Sequence, residues 1–331
     1  MFDRRWLLAA LAVGTMAAAL PGQARAAAEN IGVLRLGVLG FGTVNWELDV
    51  IKTHGLDEER SFTLAVEGFA GGQATKVALQ GDAVDGIVSD WLWVSRQRAE
   101  GENYVFVPYS HTVGALMTPP DSDIQSLEDL SGKKIGVAGG ALDKSWLLIQ
   151  AAAKERHGMD LANEVEAIFG APPLLNEKIE TGELDAVLNF WHFCARLEAK
   201  GYNRLLGVDD AIQELGVGSN VPQLGYVFPE AFANENADLI EAFADASRAA
   251  KALLQTDEEW ERIRELTKAK DDVTLEALKT RFQEGIPLSW GEIERADAAQ
   301  LYELLAKLGG EELVGPSPTL VDGTFWSNVA Y

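Results

Sequence analysis

Two stretches about a hundred residues apart gather residue types that can hold a small molecule: Ala78–Trp93, ALQGDAVDGIVSDWLW, and Lys178–Phe193, KIETGELDAVLNFWHF. In each, a helical tail runs into a glycine, an acidic turn and a short apolar run, and aromatic residues close it. Asp85 is matched by Asp185, Trp91 by Trp191 and Trp93 by Phe193. An apolar run of this length between turn residues reads as a buried parallel strand. Ligands of open α/β sheets sit beyond the carboxyl ends of such strands. Aromatic rings placed there can stack a flat ring or a cation. Asp85 and Asp185 are expected to take backbone N–H groups in their turns, whereas Asp90 follows its strand directly and is expected to meet a ligand.

Comparable tips recur along the chain. The expected ligand contacts of the first half are Phe41, Asn45, Trp46, Gly72, Gln73, Asp90, Trp91 and Tyr109. Those of the second half are Gly140, Asp143, Ser145, Trp146, Asn189, Trp191 and His192. Five of the nine tryptophans (Trp46, Trp91, Trp93, Trp146, Trp191) fall on these tips, where a ligand would cover surface that otherwise costs solubility. One member of each aromatic pair is read as a core plug, with Trp91 and Trp191 facing the ligand, and Trp260, Trp290 and Trp326 as core. His111 and His192 each stand alone beside aromatics, so packing competes with ligand contact at both. Gly71-Gly72 and Gly139-Gly140 each precede a helix and would let backbone approach a small ligand. No arginine falls on a tip, and Lys144 is the one cation. A sulfonate or nitrate site would bring more positive charge, so the tips suit a neutral or cationic nitrogenous solute, a heteroaromatic ring included.

Catalytic signatures are missing: there is no G-x-S-x-G elbow, no H-E-x-x-H and no phosphate-binding glycine loop. Cys194 is the single cysteine, which excludes an internal disulfide and a cysteine-based zinc site. No cofactor and no metal is expected. The net charge of −23 over 331 residues argues against nucleic acid and anionic membrane surfaces as partners. Arg4-Arg5, the apolar stretch Trp6–Leu20, Pro21-Gly22 and Ala24-Arg25-Ala26 read as a secretory signal covering residues 1–26. Export would follow the general or the twin-arginine route and leave a periplasmic protein with no membrane insertion.

The elements that must position the tips alternate between strand and helix, which predicts βαβ units and mostly parallel sheets. Strands are expected at Val33–Leu39, Phe62–Glu67, within the first tip stretch, Tyr104–Pro108 and Val113–Thr118. Lys134–Val137, Val165–Phe169, Ala186–Asn189, Leu205–Val208 and Gln223–Phe228 follow. Thr43, Ser126, Asn236 and Thr274 are read as helix caps, Ser126 with Asp129 in a capping box. Prolines 119–120 and 222 mark two crossings, near 117–121 and 222–228. One lobe then comprises 31–118 and 225–331, the other 121–222. Four late helices are read as a cover on the first lobe, followed by an irregular tail from Gly309.

With these residues in place, the chain resembles a type II periplasmic solute-binding protein of an ABC importer, of the nitrate/taurine/alkanesulfonate/thiamine-precursor class. The resemblance rests on Leu34–Leu39, on Gly81-Asp82-Ala83-Val84-Asp85 and above all on Ser126–Val137, SLEDLSGKKIGV. It implies two doubly wound α/β lobes joined by two crossings, a ligand cleft between them and a C-terminal helical cover. It also implies a monomer that closes on one small solute and passes it to an inner-membrane permease. An exported enzyme of the same fold, or a ligand-sensing partner of a membrane signalling protein, is the alternative. The pyrimidine-synthesising relatives of this class use a cysteine-rich motif, which a chain with Cys194 alone does not supply.

Overall fold

Two five-stranded mixed sheets organise the chain in the computed structural model, which describes residues 30–218 and 221–331. The signal segment and its cleavage sites lie outside the described residues. The strands are β1 (Gly32–Leu39), β2 (Phe62–Phe69), β3 (Gly86–Ser89), β4 (Tyr104–Ser110), β5 (Ala115–Thr118), β6 (Lys134–Ala138), β7 (Glu166–Gly170), β8 (Ala186–Asn189), β9 (Asn203–Gly207) and β10 (Leu224–Pro229). Their orders are β2-β1-β3-β10-β4 and β7-β6-β8-β5-β9.

In each sheet one strand opposes the rest: β10 runs antiparallel to β3 and β4, and β5 antiparallel to β8 and β9. Each is the first strand after the chain arrives from the other sheet. A chain that crosses at the edge where the carboxyl ends meet can only run away from it, so the direction follows from the crossing. Because β5 pairs within the second sheet, the first crossing lies between Ser110 and Ala115, earlier than the proline pair suggests. Pro119-Pro120 instead ends β5, since proline cannot donate to a ladder.

The helices are α1 (Val44–Thr53), α2 (Gly72–Gln80), α3 (Trp91–Ala99), α4 (Lys144–His157), α5 (Leu161–Glu164), α6 (Pro172–Glu180), α7 (Trp191–Glu198), α8 (Val208–Glu214), α9 (Glu230–Glu235), α10 (Ala237–Leu253), α11 (Asp257–Arg262), α12 (Arg264–Thr267), α13 (Asp272–Glu284) and α14 (Glu292–Val314). Three of the expected caps differ. Thr43 is helical and makes no cap bond, Asn236 donates back to Phe232 O, and Asp271 rather than Thr274 caps α13 by accepting Thr274 N at 2.7 Å. The Ser126 box is present, with Asp129 accepting Ser126 N at 3.0 Å. Helix α14 continues past Gly309, broken at Gly310 (φ 59°). The tail then lies along β4, where Phe106 N donates to Thr324 O at 2.8 Å and Trp326 N to Phe106 O at 3.1 Å.

The late helices do more than cover the first sheet. Helix α10 packs on α1, but α13 packs on α7 and α14 on both α3 and α4, so two of them reach the second half. Inside the first half, Glu47 of α1 is fully buried and paired with Lys251 of α10 at 2.7 Å. It also accepts from Tyr226 Oη at 2.8 Å and Ser247 Oγ at 2.6 Å, which satisfies a charge that could not stay buried alone.

The two halves repeat one another in detail. Asp85 N donates to Arg35 O at 2.8 Å, and the Asp85 carboxylate accepts Arg35 N at 2.8 Å. Asp185 N donates to Lys134 O at 2.9 Å, and its carboxylate accepts Lys134 N at 2.7 Å. The paired aspartates therefore serve the neighbouring strand, not their own turns: each extends the β1–β3 or β6–β8 pairing by one residue. Two residues on, Gly37 and Gly136 leave room for Val84 and Leu184, whose side chains would lie 3.1 and 2.6 Å from an added Cβ. Replacing Asp85 by alanine removes the acceptor of the part-buried Arg35 N–H and the partner of its guanidinium, and is expected to cost about 1–3 kcal/mol. Asp185→Ala, at a more exposed strand start, is expected to cost less. Urea unfolding at unchanged m-value measures both, and equal losses would refute the burial argument.

Candidate functional site

Beyond the carboxyl ends of β1, β3, β6 and β8, the loop and the start of the following helix decide where each tip residue points. After β1, Asn45 donates its side-chain amide to Leu39 O and Gly42 O, both at 2.8 Å. That holds the loop and leaves Phe41 66% exposed. Gly72 and Gln73, at the start of α2, are exposed. After β3, Asp90 caps α3 by accepting Trp93 N at 2.8 Å. After β6, Gly140 is exposed and Asp143 caps α4, accepting Ser145 N at 2.9 Å and Trp146 N at 3.3 Å. Burial pushes the Asp143 carboxyl up, against the pull of Lys144 and these amides. After β8, Asn189 donates to Pro172 O at 3.0 Å and to Asn176 Oδ1 at 2.8 Å, and it accepts Phe190 N at 2.8 Å. Phe190 stands 41% exposed beside it.

The tryptophans lie deeper. Trp46, Trp91, Trp146 and Trp191 are between 1% and 6% exposed. A side chain in the first turn of a helix leans back toward the helix start and, on the buried face, under it. Trp91 donates its indole N–H to Pro222 O at 2.8 Å and packs on Tyr302 and Phe325. Ser145 is buried, and Tyr109 lies in the core with its ring under Lys251 Nζ at 4.8 Å. Trp93 is half-buried beneath Lys76 Nζ at 4.8 Å.

Trp191 crosses between the halves. It starts α7 of the second half, yet its ring sits 5.8 Å from Trp46 and 6.3 Å from Phe282 of the first, with Trp260 5.6 Å from Trp46. Its remaining edge lines a cavity of about 250 Å³. The first crossing contributes His111, Thr112 and Val113; the second half adds Arg204, Asp209 and Gln213; and α13 with its end adds Arg281, Glu284 and Gly285.

The lining is charged but largely paired. Glu198, the last residue of α7, bridges Arg204 (2.8 Å) and Arg281 (2.8 Å), and Arg281 also meets Glu284 at 2.7 Å. Asp209 takes part in no ion pair among the described residues. Burial pushes the His111 imidazole from 6.5 down to about 4, against the pull of Glu294, and its buried Nε2 has no partner. Burial, with Arg196 nearby, takes His192 down to about 4 as well, and its Nδ1 is likewise unpartnered. The cavity can therefore offer a neutral imidazole, an amide, an indole edge and one free carboxylate.

Of the sequence-expected contacts, the structure leaves Phe41, Gly72, Gln73 and Gly140 open at the tips. It brings Trp191 to the cavity, together with His111, for which packing and ligand contact both stood open. Arg204, Asp209, Gln213, Arg281 and Glu284 were not expected, because they sit on β9, α8 and α13, away from the parallel tips. On a helix such as α13 an arginine reads as part of a solvated face, and nothing local marks it otherwise. Among the described residues, no group of three His, Cys, Asp or Glu converges to hold a metal, and no helix is long and apolar enough to cross a membrane.

A family model described as NMT1/THI5 like matches residues 66–259. No curated protein matches the chain. Among solved structures, the chain is similar to the alkanesulfonate-binding protein SsuA from Xanthomonas axonopodis pv. citri bound to MOPS. The two share 17% identity over 91% of this chain and 99% of that one, with a TM-score of 0.66. The periplasmic aliphatic sulphonate binding protein SsuA from Escherichia coli is similar at 16% identity, over 90% and 98%, with a TM-score of 0.70. The zinc-bound ligand binding component of an ABC-type import system from Staphylococcus aureus follows at 13%, over 86% and 94%, with a TM-score of 0.62. At such identities the likeness is one of fold, the type II periplasmic binding fold with its two α/β lobes.

The two depressed histidines set a pH dependence. Each is held neutral when folded and titrates near 6.5 when unfolded, so stability is full above about pH 7 and is lost as pH falls from 6.5 toward 4. The loss should approach roughly 2–3 kcal/mol for each. Thermal melts from pH 8 to 4 should show it, and His192→Gln should flatten the profile; an unchanged slope in that variant would contradict the assignment.

Proposed function

The chain belongs to the NMT1/THI5-like family, and from that premise we propose that it is the solute-binding component of an ABC importer. It would work in the periplasm as a monomer, closing its two lobes on one small solute and delivering it unchanged to an inner-membrane permease. The observation that carries this reading is the cavity of about 250 Å³ that both halves and the first crossing line together. A solute held there touches both lobes at once, so it binds the closed arrangement better than the open one, as a ligand that drives closure must. The similarity to structures named as periplasmic binding proteins agrees with it.

The solute we propose is small, nitrogenous and neutral or cationic. Both arginines at the cavity already face carboxylates, Glu198 and Glu284, whereas Asp209 has no cationic partner among the described residues. An ammonium or ring N–H would meet Asp209, Gln213 and the neutral His111, with the Trp191 edge beside it. A heteroaromatic ring also fits the tips, where Phe41 and Phe190 present exposed faces. The remaining tip contacts proposed are Asn45, Gly72, Gln73, Asp90, Gly140, Asp143 and His192.

A thermal-shift panel of N-heterocycles, polyamines, betaines, alkanesulfonates and nitrate, followed by calorimetry, tests this. A true solute at about 100 times its Kd should add roughly 2.7 kcal/mol of stability. Asp209→Asn should weaken a cationic solute about tenfold or more. A response to sulfonates or nitrate alone would overturn the ligand class, and turnover of the bound solute would overturn the receptor reading.

A further inference from the structure

We propose that Glu198 is a resident counter-ion that decides the charge of the solute: it occupies the anion position between Arg204 and Arg281 and so keeps oxyanions out of the cavity. The inference rests on the reading of this cavity as the solute site. Arg204 donates its Nε to Glu198 Oε1 at 2.8 Å. Arg281 grips the same carboxylate with both arms of its fork, Nε to Oε2 at 2.9 Å and Nη2 to Oε1 at 2.8 Å. The Nη1 of Arg281 goes to Glu284 at 2.7 Å. Burial works to raise the Glu198 carboxyl, but the two guanidinium groups outweigh it and hold it below the usual carboxylate range.

Two guanidinium groups converging on a pair of oxygens form the donor set that a sulfonate, sulfate or nitrate requires. Here the oxygens come from the chain itself. A tethered carboxylate competes at high effective concentration, so a free oxyanion must displace it to bind. Both arginines line the cavity, and among the described residues they are its only cationic side chains. With Glu198 in place they offer an incoming anion little, and the unpaired carboxylate of Asp209 repels it. The same carboxylate also ties the halves, since Glu198 belongs to α7 and Arg281 to α13. Removing its charge should therefore create an anion site and loosen the lobes together, and a bound oxyanion should repair both.

The variant to make is Glu198→Gln, which keeps the shape and removes the charge, with methanesulfonate and inorganic sulfate as probes. Binding is read by calorimetry and by melting temperature against sodium chloride at matched ionic strength. Wild-type protein should not respond to either anion. The variant should melt lower, gain about tenfold or more in anion affinity and recover its melting temperature when the anion is added. Adding Arg204→Gln in that background should cancel the gain. Wild-type protein that binds methanesulfonate as well as the variant does, or a variant that gains nothing, overturns the proposal. If circular dichroism shows Glu198→Gln unfolded, Glu198→Asp serves instead: it keeps the charge but is one methylene too short to span both arginines, so a partial gain is expected and none would refute. The anion readout needs no native solute. A panel in which no nitrogenous compound binds, beside a variant that gains sulfonate, would remove the nitrogenous ligand class and leave the role of Glu198 standing.

Discussion

The insertion of Trp191 into the aromatic cluster of the other half is the contact on which the rest of the arrangement depends. The two sheets are also joined by two short crossings and by α14, which packs on both α3 and α4. Trp46, Trp191, Trp260 and Phe282 pack in edge-on and tilted pairs with centroids 5.5 to 6.3 Å apart. Such pairs contribute about 0.5–1.5 kcal/mol each beyond the area they bury. The neighbouring Arg281–Glu198 pair is partly exposed, and pairs of that kind contribute about 0–1 kcal/mol. The aromatic insertion therefore holds the halves, while the ion pair sets their register and local charge.

That division explains where the cavity lies. Helix α13 packs on α7, and α14 packs on α4. The cavity lies beside the α7–α13 contact, lined by the first crossing, α8 and α13 together.

The ion pairs at the cavity leave a remainder of the same sign as the chain. A protein of net charge −23 places two of its arginines here, then matches them with Glu198 and Glu284. Asp209 is the carboxylate left over, and the neutral His111 adds no charge to it. The long-range field and the local remainder are both negative, and they act by different means, diffusion steering and direct contact.

The sequence by itself determined the class of fold. Apolar runs of strand length between turn residues, repeated about a hundred residues apart, announce two similar α/β halves, and the structure repeats them down to the Asp85 and Asp185 bonds. This was legible because strand burial, glycine turns and helix periods are local. The tip backbone of Gly72 and Gly140 was legible for the same reason. The fate of the tryptophans was not: whether an indole in the first turn of a helix turns outward or under it depends on what packs beneath, and at Trp191 that is Trp46 and Phe282, drawn from the far end of the other half. The cavity was decided wholly by tertiary structure. His111, Arg204, Asp209 and Arg281 lie on four elements with no common spacing, and only the crossing of the chain between its sheets brings them to one place.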